Sequence, residues 1–133
     1  MNDERDRNGR AGSAGRFRRM QLEQAFMTMS INQILNNPLE GETPSARLKQ
    51  VGLMTVIGAL NGEPLTLSRL VDITGLTRSG VGECMGPLVE RGILVEEMGK
   101  NSMGRGMARQ FHLSPVFIDT LGLMMGDPIR HGN

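Results

Sequence analysis

LTLSRLVDITGLTRSGVGECMGPLVERGIL, residues 65–94, decides the fold. Leu65-Thr66-Leu67 can form a short strand, and a helix follows, capped by Thr66 or Ser68, with Leu70, Val71 and Ile73 inward. Gly75 is suited to the left-handed residue that ends a helix, and Leu76 then packs under the turn. Thr77 stands where a second helix needs its cap. Val81, Cys84, Met85 and Leu88 give that helix an apolar stripe at i, i+3, i+4, i+7. Gly92 ends it.

Downstream, residues 93–98 and 107–113 read as two antiparallel strands. Met107, Arg109, Phe111 and Leu113 alternate with Ala108, Gln110 and His112. Between the strands, GKNSMGRG is polar and glycine-rich and reads as a flexible loop. Ser114-Pro115 is a cap with proline in the first helical position, so a short C-terminal helix is expected over 115–126.

Upstream, Thr43-Pro44 starts another helix. Leu48, Val51, Leu53, Met54, Val56, Ile57 and Leu60 make it apolar nearly all round, as for a central buried helix. Asn61-Gly62-Glu63-Pro64 closes it. Before it, residues 17–37 read as an N-terminal helix with two apolar stripes. One holds Leu22, Ala25, Phe26 and Met29; the other holds Met27, Ile31, Ile34 and Leu35. Two stripes need two partners, which internal packing or a dimer mate can supply. Residues 1–16 show no apolar period and read as a disordered basic arm. Residues 43–115 then form the main domain.

The chain has 133 residues and a formal net charge of +1. One domain is expected. It has four Phe, no Trp, no Tyr and eleven Met. So few rings argue against a base-stacking binder of single strands. Charge is uneven: residues 1–19 hold six Arg against three acids, and residues 99–113 hold Lys100, Arg105 and Arg109 with no acid. Such segments suit a local polyanion contact or a solvated tail.

The single Cys84 excludes an internal disulfide and a Cys-based zinc site. On the apolar stripe it reads as a buried structural cysteine. His112 and His131 are isolated and suggest no metal site. GKNSMGRG lacks the strand-to-helix setting of a phosphate loop. No catalytic constellation appears, so the chain reads as a non-enzyme without a cofactor. No apolar run suits a membrane span and no signal-peptide core appears, which makes a cytoplasmic protein the expectation.

The expected fold class is mainly α with a small β-hairpin: a winged helix-turn-helix with an N-terminal helical extension. Residues 65–94, with the closing GRGMARQFHLSP of 104–115, resemble the multiple-antibiotic-resistance (MarR-type) regulators over roughly residues 45–115. The resemblance implies a bacterial transcription regulator, acting as a homodimer on pseudo-palindromic double-stranded DNA. It leaves room for a small-molecule effector. The chain departs from the family pattern in its short C-terminal region, its glycine-rich recognition helix (about 77–91) and its Glu83.

A recognition helix presents its N-terminal residues to the major groove. With the apolar stripe inward, Ser79, Gly82, Glu83 and Gly86 face outward and Arg78 lies on the flank. Arg78 can take a guanine or a phosphate, and Ser79 either. Gly82 and Gly86 allow close approach. Glu83 can accept from cytosine N4, repel phosphate, or be a solvated charge. Thr77 can cap the helix while its first turn receives a phosphate. Pro87 predicts a kink or break near Gly86-Pro87. In the wing, about 99–107, Arg105 suits minor-groove insertion, Lys100 suits a phosphate, and Asn101 is a further candidate for DNA contact. Arg109 matches the family's wing-strand arginine, whose usual aspartate partner is missing from the loop. Two other readings are a winged-helix protein-interaction module and a plasmid or phage replication or partition factor.

Overall fold

The computed structural model describes residues 2–60, 63–100 and 107–126, with side chains at 13–60, 63–99 and 108–126. Among these residues there are five helices and one small sheet. A long α1 (Asn2–Leu35) leads into α2 (Pro44–Ala59), β1 (Leu65–Thr66), α3 (Leu67–Thr74) and α4 (Arg78–Glu90). Then come β2 (Leu94–Lys100), β3 (Met107–Leu113) and α5 (Pro115–Met124). The three strands are antiparallel in the order β1-β3-β2. This is the winged helix-turn-helix arrangement preceded by a helical extension.

Short polar side chains set where the helices begin. Thr43, Thr66, Thr77 and Ser114 each accept a hydrogen bond from the backbone N–H three residues on, at 3.0–3.2 Å. Each such cap satisfies a donor the helix leaves open, worth about 1 kcal/mol. Gly75 ends α3 at φ 73°. Gly92 follows α4 at φ 79°, with the N–H of Ile93 donating to Leu88 O at 3.0 Å and that of Gly92 to Val89 O at 2.9 Å. That pair is a Schellman closure. Ser114 fastens the sheet to it, donating to Gly92 O at 2.6 Å.

The core lies where α1, α2, α4, α5 and the sheet converge. Phe26, Met54, Leu70, Val81, Met85, Leu88, Ile93, Phe111 and Phe117 are all buried there. Each fully buried large side chain contributes about 1.5–3 kcal/mol. The rings of Phe26 and Phe117 meet edge to face at 5.6 Å, locking α1 to α5.

Four expectations are corrected. First, α1 begins at Asn2, so 1–16 is not an unstructured arm: its backbone is helical from residue 2. No proline or β-branched residue occurs before Thr28 to interrupt it. Second, α2 is packed over most of its girth but not all round, with Val51, Val56 and Leu60 also against the core. Leu53, Met54 and Ile57 are inside with Gln50, while Leu48 is 64% exposed. Third, Ile73 and Leu76 stay largely exposed beside the turn instead of packing beneath it. Fourth, α4 is not broken at Gly86-Pro87 but runs unbroken to Glu90 with Pro87 inside. Met85 and Leu88, one on each side, are both fully buried, and Arg91 N–H donates to Pro87 O at 2.8 Å. Tertiary packing on both sides of the proline thus carries the helix through it.

The joint between α1, α2 and α4 is polar and buried. Arg91, the residue capping α4, places its guanidinium against the Glu42 carboxylate, with side chains 4% and 5% exposed. Its Nη1 also donates to Gln50 Oε1 at 2.6 Å. Its remaining donors reach Gln33 O at 3.2 Å, Ile34 O at 3.3 Å and Asn37 O at 3.0 Å. Arg47 Nη1 donates to Leu35 O at 3.1 Å. The final carbonyls of α1, which no helix can satisfy internally, are therefore capped by two arginines from elsewhere in the chain. Two cations at a helix C-terminus also match its dipole. Hydrogen bonds from Arg91 foremost, with others from Gln50 and the backbone of Leu39, outweigh burial and hold the Glu42 carboxyl down at about 2.

Candidate nucleic-acid interface

Thr77 is the pivot of the helix-turn-helix. Its backbone is extended, its Oγ1 accepts from Gly80 N at 3.0 Å, and its carbonyl accepts from Val81 N at 3.0 Å. A Cβ at Gly80 would stand 3.2 Å from that Oγ1, so the capped turn fits tightly around a glycine. The cap leaves the first N–H groups of α4, at Arg78 and Ser79, directed out of the helix end. Both residues are exposed.

The face assignment expected for α4 matches its burial. Val81, Cys84, Met85 and Leu88 are inside. Thr77, Arg78, Ser79, Glu83 and Gly86 are exposed and Gly82 is half-exposed. Nothing lies within 4 Å of a Cβ built on either Gly82 or Gly86. Neither glycine is required by packing within the chain. Each weakens the helix by about 0.5–1 kcal/mol relative to alanine, and their only local consequence is a low, bare surface flanking Glu83.

Arg78 reaches across the turn, its Nη1 3.4 Å from Ser68 Oγ at the start of α3. Ser68 thus joins the exposed surface at the N-terminus of α4. It was not among the candidate residues, because only the turn geometry brings position 68 beside position 78. Arg69, next to it, pairs with Glu63 at 2.9 Å.

The wing is described in part. Lys100 is the last residue of β2, opposite Met107. Asn101 and Arg105 lie outside the described residues. Arg109 does find an acid, on the neighbouring strand instead of in the loop: Glu96, diagonal to it across the β2–β3 register. The pair holds Glu96 below its ordinary carboxylate range through the hydrogen bond from Arg109. The same guanidinium lies 5.5 Å from the centre of the buried Phe111 ring. Arg109 is thus tied down on the strand, half-exposed and charge-paired. On the other sheet face His112 Nε2 lies 3.4 Å from Glu97 Oε1.

Cys84 is buried, and burial pushes its thiol above the ordinary range even though Lys49 pulls the other way. Among the described residues no group of His, Cys, Asp and Glu could hold a metal ion. Nor is any helix there long and apolar enough to cross a membrane. Comparison of the chain with known protein families, curated proteins and solved structures finds no match.

Proposed function

We propose that the chain is a double-stranded-DNA-binding transcription regulator, acting as a homodimer, with α4 in the major groove and the hairpin against the adjacent backbone. One observation carries this reading: the outward face of α4. It offers a capped N-terminus with exposed Arg78 and Ser79, followed by two glycines that packing within the chain does not need. A helix N-terminus with its N–H groups and an arginine favours phosphate, and bare glycines let a helix backbone approach a groove floor closely. Lys100 and Arg105 add positive charge to the wing by sequence. Thr77, Arg78, Ser79, Gly82 and Glu83 are the residues assigned to the groove, with Lys100, Asn101, Arg105 and Arg109 assigned to the wing.

Glu83 favours a second reading, a winged-helix module that binds another protein. It is exposed at the centre of the α4 face, where it would meet phosphate unfavourably and a basic protein surface favourably. Electrophoretic mobility of random genomic fragments at low salt separates the two. Retarded fragments support the regulator; unretarded fragments at every protein concentration support the protein-interaction module.

A further inference from the structure

Between Ser79 and Pro87 the outward face of α4 carries a single side chain. Val81, Cys84 and Met85 point into the core, and positions 80, 82 and 86 are glycine. That leaves Glu83, exposed and roughly opposite the buried stripe at about 100° per residue. Nothing within the fold employs this carboxylate. The residues three and four positions away on either side are Ser79, Gly80, Gly86 and Pro87, so no ion pair along the helix can form. Glu83 is the sixth residue of the 13 in α4, beyond the first turn where a carboxylate favours the helix dipole. Among the described residues it makes no hydrogen bond or ion pair.

We propose that Glu83 selects the sequence bound: its carboxylate accepts a hydrogen bond from N4 of one cytosine in the major groove. The inference rests on the DNA-binding reading and adds the base to it. An ionised carboxylate accepts and cannot donate, and phosphate repels it, so DNA offers it few places. In the major groove only cytosine N4 and adenine N6 present donors. Adenine N6 stands between two acceptors, its own N7 and thymine O4. Cytosine N4 has an acceptor on one side only, guanine O6. Cytosine is therefore the base that suits a carboxylate. A Cβ at Gly82 or Gly86 would meet nothing within 4 Å, so bare backbone flanks Glu83. That lets α4 sit deep enough for a lone side chain to meet the base edges. Arg78, exposed at the start of the helix, offsets the repulsion with a phosphate contact. On every other sequence the Glu83 charge is only repelled, so it rejects wrong sites as well as favouring the right one.

The test selects duplexes from a random-sequence pool with the full chain at low salt. The selected site, its single-base variants and random duplex are then titrated by fluorescence anisotropy with native, Glu83→Ala and Glu83→Gln chains. The native chain should prefer cytosine at one position of the site, roughly tenfold to a hundredfold over the other bases. Glu83→Ala should lose that preference and bind random duplex more tightly than the native chain does. Glu83→Gln should move the preference at the same position to adenine, since an amide both accepts from N6 and donates to N7. Both variants should keep the native circular dichroism spectrum, because the side chain is exposed. A Glu83→Ala chain with the native preference at every position, or one that loses its preference for a base other than cytosine, overturns the proposal and leaves the DNA-binding reading standing. A pool from which no duplex is retained overturns both.

Discussion

The Arg91 guanidinium and the Glu42 carboxylate form a buried two-pronged ion pair that joins the end of α4 to the linker after α1. Arg91 also caps the last carbonyls of α1, so one side chain sets the position of the extension relative to the helix-turn-helix. Removing one member of such a pair leaves the other charge buried and unmatched, a loss of about 3–5 kcal/mol. Arg91→Met should lose that much, because Gln33, Ile34 and Asn37 also lose their donor. Denaturant unfolding at neutral pH measures it. An Arg91→Met loss below about 1 kcal/mol would show that the cluster does not hold the joint.

Acid should release the same joint. The Glu42 carboxyl lies at about 2 in the folded chain, against 4.5 ordinarily. Between those values the unfolded chain binds the proton that the folded chain refuses, so stability falls as pH falls. The contribution is complete above about pH 4.5 and lost as pH drops through about 2. Unfolding midpoints measured from pH 6 to pH 2 should therefore decline more steeply in the native chain than in Glu42→Gln. Parallel curves would contradict the assignment.

Gly82→Ala and Gly86→Ala should each stabilise the chain by about 0.5–1 kcal/mol, since the added methyl meets open space in a helix. Both should weaken DNA binding, because the methyl stands where the groove must come close. Opposite signs in thermal unfolding and in DNA titration are the expected signature. Stabilisation with unchanged affinity would move the contact off this face of α4.

Cys84 should be inert in the folded state. Its thiol is buried and held protonated, and the thiolate is the reactive form. Labelling by a thiol reagent should track global unfolding across a denaturant series. Fast stoichiometric labelling of the native chain would contradict the buried placement.

What could be read from the sequence was local. Thr43, Thr77 and Ser114 announce their helices because a cap acts within three residues, and Gly75 announces its turn through a conformation other residues resist. The inward stripe of α4 follows from period alone. Long-range polar chemistry was not legible. Arg91 meets Glu42 across 49 positions and Gln50 across 41, and no spacing rule connects them. Arg109 finds Glu96 only once the strand register is known. The exposed Ile73 and Leu76, and a helix running through Pro87, follow from tertiary packing that period and propensity do not encode. At the candidate interface the exposed residues of α4 were legible and Ser68 was not, because a turn, not a periodic face, brings it to Arg78.

The most direct test of the DNA-binding account is the affinity of the native chain and of Arg78→Ala for a double-stranded fragment retained from genomic DNA, measured over a salt series by fluorescence anisotropy. Log affinity should fall linearly with log salt, and the Arg78→Ala line should be weaker and shallower by about 0.9, the slope of one phosphate contact. No binding at the lowest salt, or native and Arg78→Ala lines that coincide, would contradict it.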